Sequence, residues 1–329
     1  MFAHGYSALD TTDSTQTLNG ENLGHSVFLH TTKDNKLAPS MDDLRFLQIM
    51  DDEYRQDESK SWVAPLPFQS PRKQLPNNKE YAKSRLNSLC RTLSKQPQMK
   101  AHYLEFVEKM LTNKHAEIAP PLQEGQECWY LPSFGVYHPK KPGQIRVVFD
   151  VLLTGPDLNN TLLGVLMRFW KEPVAITADI QHMFHCFIVR EDHRDFLRFL
   201  WFHNSDPDSD IVDYRMCVHV FGNSPSPAVA IYGLRRAAKE EEKNFGSDVR
   251  RFVEREFYVD DALKSFPTEA EAISVLRRAQ MMLAASNLRL HKIASNRPAV
   301  LEAFPLEDRA KDIKDLNLLT DDLPLQRSL

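Results

Sequence analysis

Apolar residues recur at helical spacing in several stretches of the chain. In KEYAKSRLNSLCRTLSK (79–95) Leu86, Leu89, Cys90 and Leu93 fall on one side, and in QMKAHYLEFVEKMLTN (98–113) Leu104, Val107, Met110 and Leu111 do the same. SPAVAIYGLRRAAKEEEKN (226–244) and TEAEAISVLRRAQMMLAAS (268–286) read as helices. In the second, Thr268 with Glu271 three residues on fits a capping box. MDDLRFLQIMDDEYRQDE (41–58) reads as a short acidic helix with Leu44, Leu47 and Met50 on one side.

From residue 127 the pattern turns β-like, rich in Val, Ile, Tyr and Phe. ECWYLPSFGVYHP and QIRVVFD flank KKPGQ, whose Pro-Gly fits the middle of a type II turn. A hairpin is therefore expected over 133–150, with Lys140, Lys141 and Arg146 near its tip. VLLTGPDLNNTLLGVLMRFWKE reads as a loop and then a helix. PVAITADI (173–180), DFLRFLWF (195–202), YRMCVHVFG (214–222) and LRLHKIASN read as strands. RFVEREFYVDDALKSF (251–266) reads as a hairpin turning at Val259-Asp260-Asp261. The prolines of SWVAPLPFQSPRKQLPNN (61–78) forbid a regular helix and predict an extended segment lying on something else. The polar first 37 residues lack periodicity and are expected to be disordered or loosely attached. The sum is an α+β layer, an antiparallel sheet with helices on one face.

Composition narrows the class little. Apolar residues are 42% and charged residues 26% of 329, ordinary for a globular protein. No apolar run is long enough to span a membrane, so no membrane partner is expected. MFAHGYSALDTTDST lacks the basic-then-apolar order of a signal peptide, and Cys90, Cys128, Cys186 and Cys217 form no CxxC. Those features fit a soluble protein kept inside the cell rather than a secreted one. The net charge of −4 counts mildly against a nucleic-acid binder, although a local basic surface can coexist with it.

The candidate chemistry lies in aspartates. Asp179 ends one apolar strand, and Asp260 and Asp261 stand side by side at the turn of another. If those strands are neighbours, three carboxylates converge, and their repulsion requires screening by water or neutralisation by a cation. Mg²⁺ does this with oxygen ligands and keeps positions for substrate phosphates. Two such ions can clamp both oxygens of a phosphoryl transfer. The plainer alternative is that Asp-Asp simply favours a turn and Asp179 caps a following helix.

Context favours the first alternative. SWVAPLPFQSPRKQLPNN, HAEIAPPL, LPSFGVYHPKKPGQIRVVFD, GPDLNNTLLGVLMRF, ADIQHMFHCFIVREDHRDFLRFLW, YRMCVHVFGNSPSPAVAIYGL, FYVDDALKS and LRLHKIASN occur in order over roughly residues 40–329. Together they resemble the reverse transcriptases of BEL/Pao-type LTR retrotransposons. The resemblance implies a right-hand polymerase fold with a palm sheet and partial fingers. It implies four regions: 1–40 loosely ordered, 41–126 helical and extended and leading into the fingers, 127–305 fingers and palm, and 306–329 the start of a connector toward ribonuclease H.

It also implies roles. Asp179, Asp260 and Asp261 match the metal-binding catalytic carboxylates, and Ile180 would lend its backbone carbonyl to a metal. Tyr258 and Val259 would lie near the primer end. Phe184 matches the aromatic gate against a 2′-OH, its alternative being a core aromatic. FGNSPSP resembles a loop-to-helix motif touching template and nucleotide: Gly222 permits close approach, and Ser226-Pro227 starts the helix. Lys141 and Arg146 match cations for the triphosphate, and Lys292 matches a lysine near the leaving pyrophosphate; the alternative for each is a solvated side chain. The implied cofactors are two Mg²⁺ or Mn²⁺ ions. The implied partners are a primed RNA or DNA template and deoxynucleoside triphosphates.

The sequence also departs from the family. RVVFD runs straight into VLLTGPDL, where a Ser-Leu-Asn-like segment linking fingers to palm is expected after Asp150. His182 stands where Gln is expected, and the chain stops at LPLQRSL where relatives continue. Protease, ribonuclease H and integrase motifs are not evident, which reads as a polyprotein fragment. The alternative function is thus a catalytically inactive nucleic-acid-binding module or relic.

Overall fold

The computed structural model describes residues 40–68, 72, 74–138, 141–149, 156–220 and 225–310. In chain order the elements begin with helix α1 (Met41–Glu53), strands β1 (Arg55–Gln56) and β2 (Trp62–Ala64), and helices α2 (Lys79–Lys95) and α3 (Pro97–Thr112). Strands β3 (Ala116–Ile118), β4 (Ser133–His138) and β5 (Lys141–Phe149), helix α4 (Leu162–Phe169) and strand β6 (Val174–Ile180) follow. Strands β7 (Phe187–Val189), β8 (Arg198–Phe202) and β9 (Ile211–Met216) lead to helices α5 (Ser226–Glu240), α6 (Glu242–Phe245) and α7 (Ser247–Arg255). Strands β10 (Phe257–Tyr258) and β11 (Asp261–Phe266), helix α8 (Glu269–Ala284), strand β12 (Leu290–Ser295) and helix α9 (Pro298–Glu302) complete the list.

The fold is α+β, and its centre is a four-stranded antiparallel sheet ordered β10-β11-β6-β12. Along β6 burial alternates without a break: Val174, Ile176, Ala178 and Ile180 are buried, and Ala175, Thr177 and Asp179 lie on the other face. The buried face packs on α5, α7 and α8 through Val229, Leu234, Phe252, Val253, Leu276 and Leu283. Period-2 alternation therefore sends the apolar half of β6 to the helices and Asp179 to the opposite face. Helix α8 begins as its capping box predicts, with the Thr268 hydroxyl accepting from the Glu271 N–H at 3.3 Å.

A second core gathers α2, α3, the hairpin β4–β5 and the sheet β3-β9-β8 around Tyr103, Tyr130, Leu131 and Trp201. The start of the proline-rich segment runs extended: β2 pairs in parallel with β7 (Trp62 opposite Phe187), and the Leu66 N–H donates to His193 Nδ1 at 2.9 Å. Among the described residues no helix is long and apolar enough to cross a membrane.

The structure differs from the sequence expectations in several places. Residues 251–255 are the end of α7 and not a strand, because Val249, Phe252 and Val253 bury at helical spacing. That helix starts after Gly246 at φ 100°, upstream of the stretch read as a hairpin. Residues 191–197 form a 3₁₀ turn, leaving β8 to start at Arg198. Strand β9 covers Ile211–Met216, beginning before the expected 214–222 and leaving 217–220 outside the strand, while 221 and 222 lie outside the described residues. The β4–β5 hairpin forms, but Pro142-Gly143 lie inside β5 instead of at its turn. A register shift takes them up: Tyr137 pairs with Ile145 and His138 with Lys141.

Candidate functional site

The open face of the central sheet gathers the aspartates. In the β6–β11 ladder Asp179 is directly opposite Asp261, and in the β6–β12 ladder it is directly opposite His291. Directly opposed residues share a face with their Cβ atoms about 5 Å apart, so two carboxylates and an imidazole stand in one row. Like charges opposed in this way destabilise a sheet unless something neutralises them.

Asp260 lies in the turn just above. Tyr258 pairs with Asp261, so the loop is the two residues Val259-Asp260. Val259 adopts φ 56°, an unfavourable conformation for a β-branched residue. The Asp260 carbonyl accepts from the Ile180 N–H at 2.9 Å, which ties the turn to the end of β6. Burial pushes the Asp260 carboxyl above its ordinary pKa, and the charge of Asp179 pushes the same way. Lys292 and Arg146 oppose the shift, so both cations act at this carboxyl.

Asp179 is already neutralised. Lys292 Nζ lies 2.7 Å from Asp179 Oδ2, and His291 Nε2 lies 3.1 Å from Oδ1. Burial lowers the His291 pKa although Asp179 acts to raise it. A neutral imidazole facing an acceptor-only carboxylate carries its proton on Nε2 and donates it. The aim of Lys292 comes from backbone irregularity. The β6–β12 ladder shifts register between His291 and Ala294, and Lys292 has φ 50° inside that shift.

The other residues singled out by sequence are distributed as follows. Arg146 is exposed on β5, paired with Val136 some way from the hairpin tip. The backbone of Lys141 starts β5. Phe184 lies in the 3₁₀ turn Met183–Cys186 after β6 and packs partly buried against the sheet's core. Ser226 is buried at the start of α5, its hydroxyl 3.4 Å from His219 Nδ1 and turned from solvent. Tyr258 and Val259 are half-buried in the aspartate hairpin. Gly222, Asp150 and Lys140 lie outside the described residues.

His291 was not expected at the site. Its signal is the alternation Leu288, Leu290 buried, which puts Arg289 and His291 on the aspartate face. As a donor set, three carboxylates suit a hard divalent cation. Among the described residues, however, no three His, Cys, Asp or Glu side chains are arranged to hold a metal ion. Asp179 is turned to Lys292 and His291 instead.

Among the solved structures that resemble this chain are two foamy viral proteins. One is a foamy viral protease–reverse transcriptase in complex with double-stranded DNA, 18% identical with a TM-score of 0.44 over 58% of this chain and 30% of that one. The other is a Prototype Foamy Virus protease–reverse transcriptase, 17% identical with a TM-score of 0.42 over 68% of this chain and 25% of that one. The chain thus spans less than a third of either of those chains. No protein-family model and no curated protein sequence matches it.

Proposed function

We propose that the chain is a reverse-transcriptase domain of the BEL/Pao kind, adding deoxynucleotides to a primer 3′-OH on an RNA or DNA template. The observation that carries this is the register of Asp179 opposite Asp261, with Asp260 in the adjoining turn. The order of the surrounding motifs supports it, and so do the cations that reach Asp260. In this reading residues 127–305 are fingers and palm, and 41–126 lead into the fingers.

Asp179, Asp260 and Asp261, with the Ile180 carbonyl, would hold two Mg²⁺ or Mn²⁺ ions. Bound there, the ions supply charge neutralisation and lower the pKa of the primer hydroxyl. The chain's own residues do the rest. Arg146, Lys141 and Lys292 carry positive charge for the triphosphate, and Phe184 borders the sugar. Gly222 and Ser226 belong to the segment facing template and nucleotide, while Tyr258 and Val259 border the primer end.

Primer extension on an RNA template with Mg²⁺ or Mn²⁺ tests this. The parent is expected to extend the primer. The Asp260→Asn/Asp261→Asn protein is expected to lose at least about a thousandfold in rate, since charge stabilisation at the reacting oxygens supplies the catalysis. Equal extension by both proteins rules the reading out.

The engagement of Asp179 by Lys292 favours a second reading, a nucleic-acid-binding module without catalysis. It predicts primer–template binding that weakens steeply with salt and is indifferent to the two Asn substitutions. Absence of binding at low salt excludes it.

A further inference from the structure

The β10 arm of the carboxylate hairpin is poorly equipped to hold its own position, although β11 pairs along β6 and the Asp260 carbonyl accepts from the Ile180 N–H. Strand β10 is two residues long and lies at the edge of its sheet, and it leads into a turn with Val259 at φ 56°. Short edge strands open readily. The residues entering the hairpin, Glu254–Phe257, are instead gripped from outside by the stretch around α4.

Asn160 Nδ2 donates to the Phe257 carbonyl at 2.7 Å and to the Glu254 carbonyl at 3.1 Å. Arg168, on α4, donates through Nε to Glu256 Oε2 at 2.7 Å and through a terminal nitrogen to the Arg255 carbonyl. Glu256 is buried, its other oxygen 3.2 Å from Lys264 Nζ on β11. The Glu256 carbonyl accepts from the Leu263 N–H at 2.9 Å. Just beyond α4, the Ser265 hydroxyl donates to the Arg168 carbonyl at 3.2 Å and accepts from the Glu172 N–H at 2.9 Å. Each contact lands on the hairpin's entry or on β11. Asn160 and Val259 also line one small cavity under the turn.

The geometry points to Asn160 and Arg168 as positioning residues: a two-point clamp that sets where the Asp260-Asp261 turn stands over Asp179. Its consequence for cation binding rests on the metal reading proposed above. The clamp acts through main-chain oxygens and one buried carboxylate, so it fixes backbone position without touching the reacting atoms. It also gives the loop of residues 156–161 that enters α4 a task, since Asn160 anchors it.

Two measurements test this on the full chain. Hydrogen exchange reads the hairpin directly and needs no metal. Asn160→Asp keeps the shape of the side chain but removes its donor. It is expected to speed exchange of the Phe257–Leu263 amides by about tenfold, with the β3–β9 amides unchanged and Tm lowered by only a few degrees. Arg168→Gln should do the same, and Arg168→Lys should restore part of the protection, because a cation still faces Glu256. Mn²⁺ affinity, measured by calorimetry, is expected to fall about tenfold in Asn160→Asp and Arg168→Gln.

Unchanged hairpin exchange in both variants overturns the clamp. So does acceleration spread evenly over all amides, which marks a general structural role. If the parent binds no Mn²⁺, the metal reading fails, while hairpin-confined acceleration still upholds the clamp. If Mn²⁺ binds the parent and both variants equally, the hairpin's position does not govern the carboxylates and the proposal falls.

Discussion

Val259 lies at φ 56°, where its branched side chain meets its own backbone. Val259→Gly removes that conflict and is expected to raise stability by about 1 kcal/mol, a Tm increase of roughly 2 °C. A fall in Tm would mean that the contacts of Val259 beside Ile231 and Leu234 outweigh the strain. The turn carrying the neighbouring aspartates was legible in sequence, because two adjacent carboxylates after an apolar run favour a turn. The engagement of Lys292 with Asp179 was not legible. It depends on a register shift in β12 and a positive φ, and neither follows from LRLHK as a string. The grip of Asn160 was equally hidden, since its partners are backbone carbonyls 94 and 97 residues away.

Among the elements, β8 and β9 depend on a buried ionic cluster. Arg198 is 1% exposed and donates to Asp195 Oδ1 from two nitrogens, at 2.8 and 3.0 Å, and to the Pro120 carbonyl at 2.6 Å. Arg215 adds a charge 3.6 Å from the same Asp195 oxygen. Removing one member leaves the other charged and buried, so Arg198→Met is expected to cost about 3–5 kcal/mol in urea unfolding. Asp195→Leu added to Arg198→Met should recover part of that loss; strict additivity of the two substitutions would refute the coupling. Elements with strong periodicity, such as α2, α3, α8 and β6, were legible because burial on one side imposes the pattern. Strands 195–202 and 214–222 were read too long. DFLRFLWF is mostly aromatic and aliphatic and shows no strict alternation, and such a run fits a 3₁₀ turn entering a strand as well as it fits a strand.

For the whole molecule, one buried and two half-buried histidines set an acid limit. Burial pushes His219 down to about 3, and His185 and His193 down to about 4, from an ordinary 6.5. Each is neutral in the folded protein but takes a proton in the unfolded chain below about pH 6.5. The unfolded state therefore binds more protons in that range, and stability is full above it and falls as pH drops toward 4. Asp260, raised by burial, works in the opposite direction, against these three and also His115 and His291, which burial lowers too. Tm by circular dichroism should decline steadily from pH 7 to 4.5, and His219→Leu should flatten part of the slope. A profile level over that range would contradict the burial of these rings.

The sequence by itself determined the α+β class and the face of β6 that carries Asp179. Those properties are local: period-2 and period-3.6 burial, capping, and the repulsion of adjacent charges are all written along the chain. Only the tertiary structure decided that Asp261 stands opposite Asp179, that Lys292 pairs with Asp179 and His291 hydrogen-bonds it, and that Asn160 and Arg168 hold the turn. Register, bulges and long-range hydrogen bonds place groups to within an ångström, and they arise when distant segments compete for the same buried surface. No short window of sequence contains that competition.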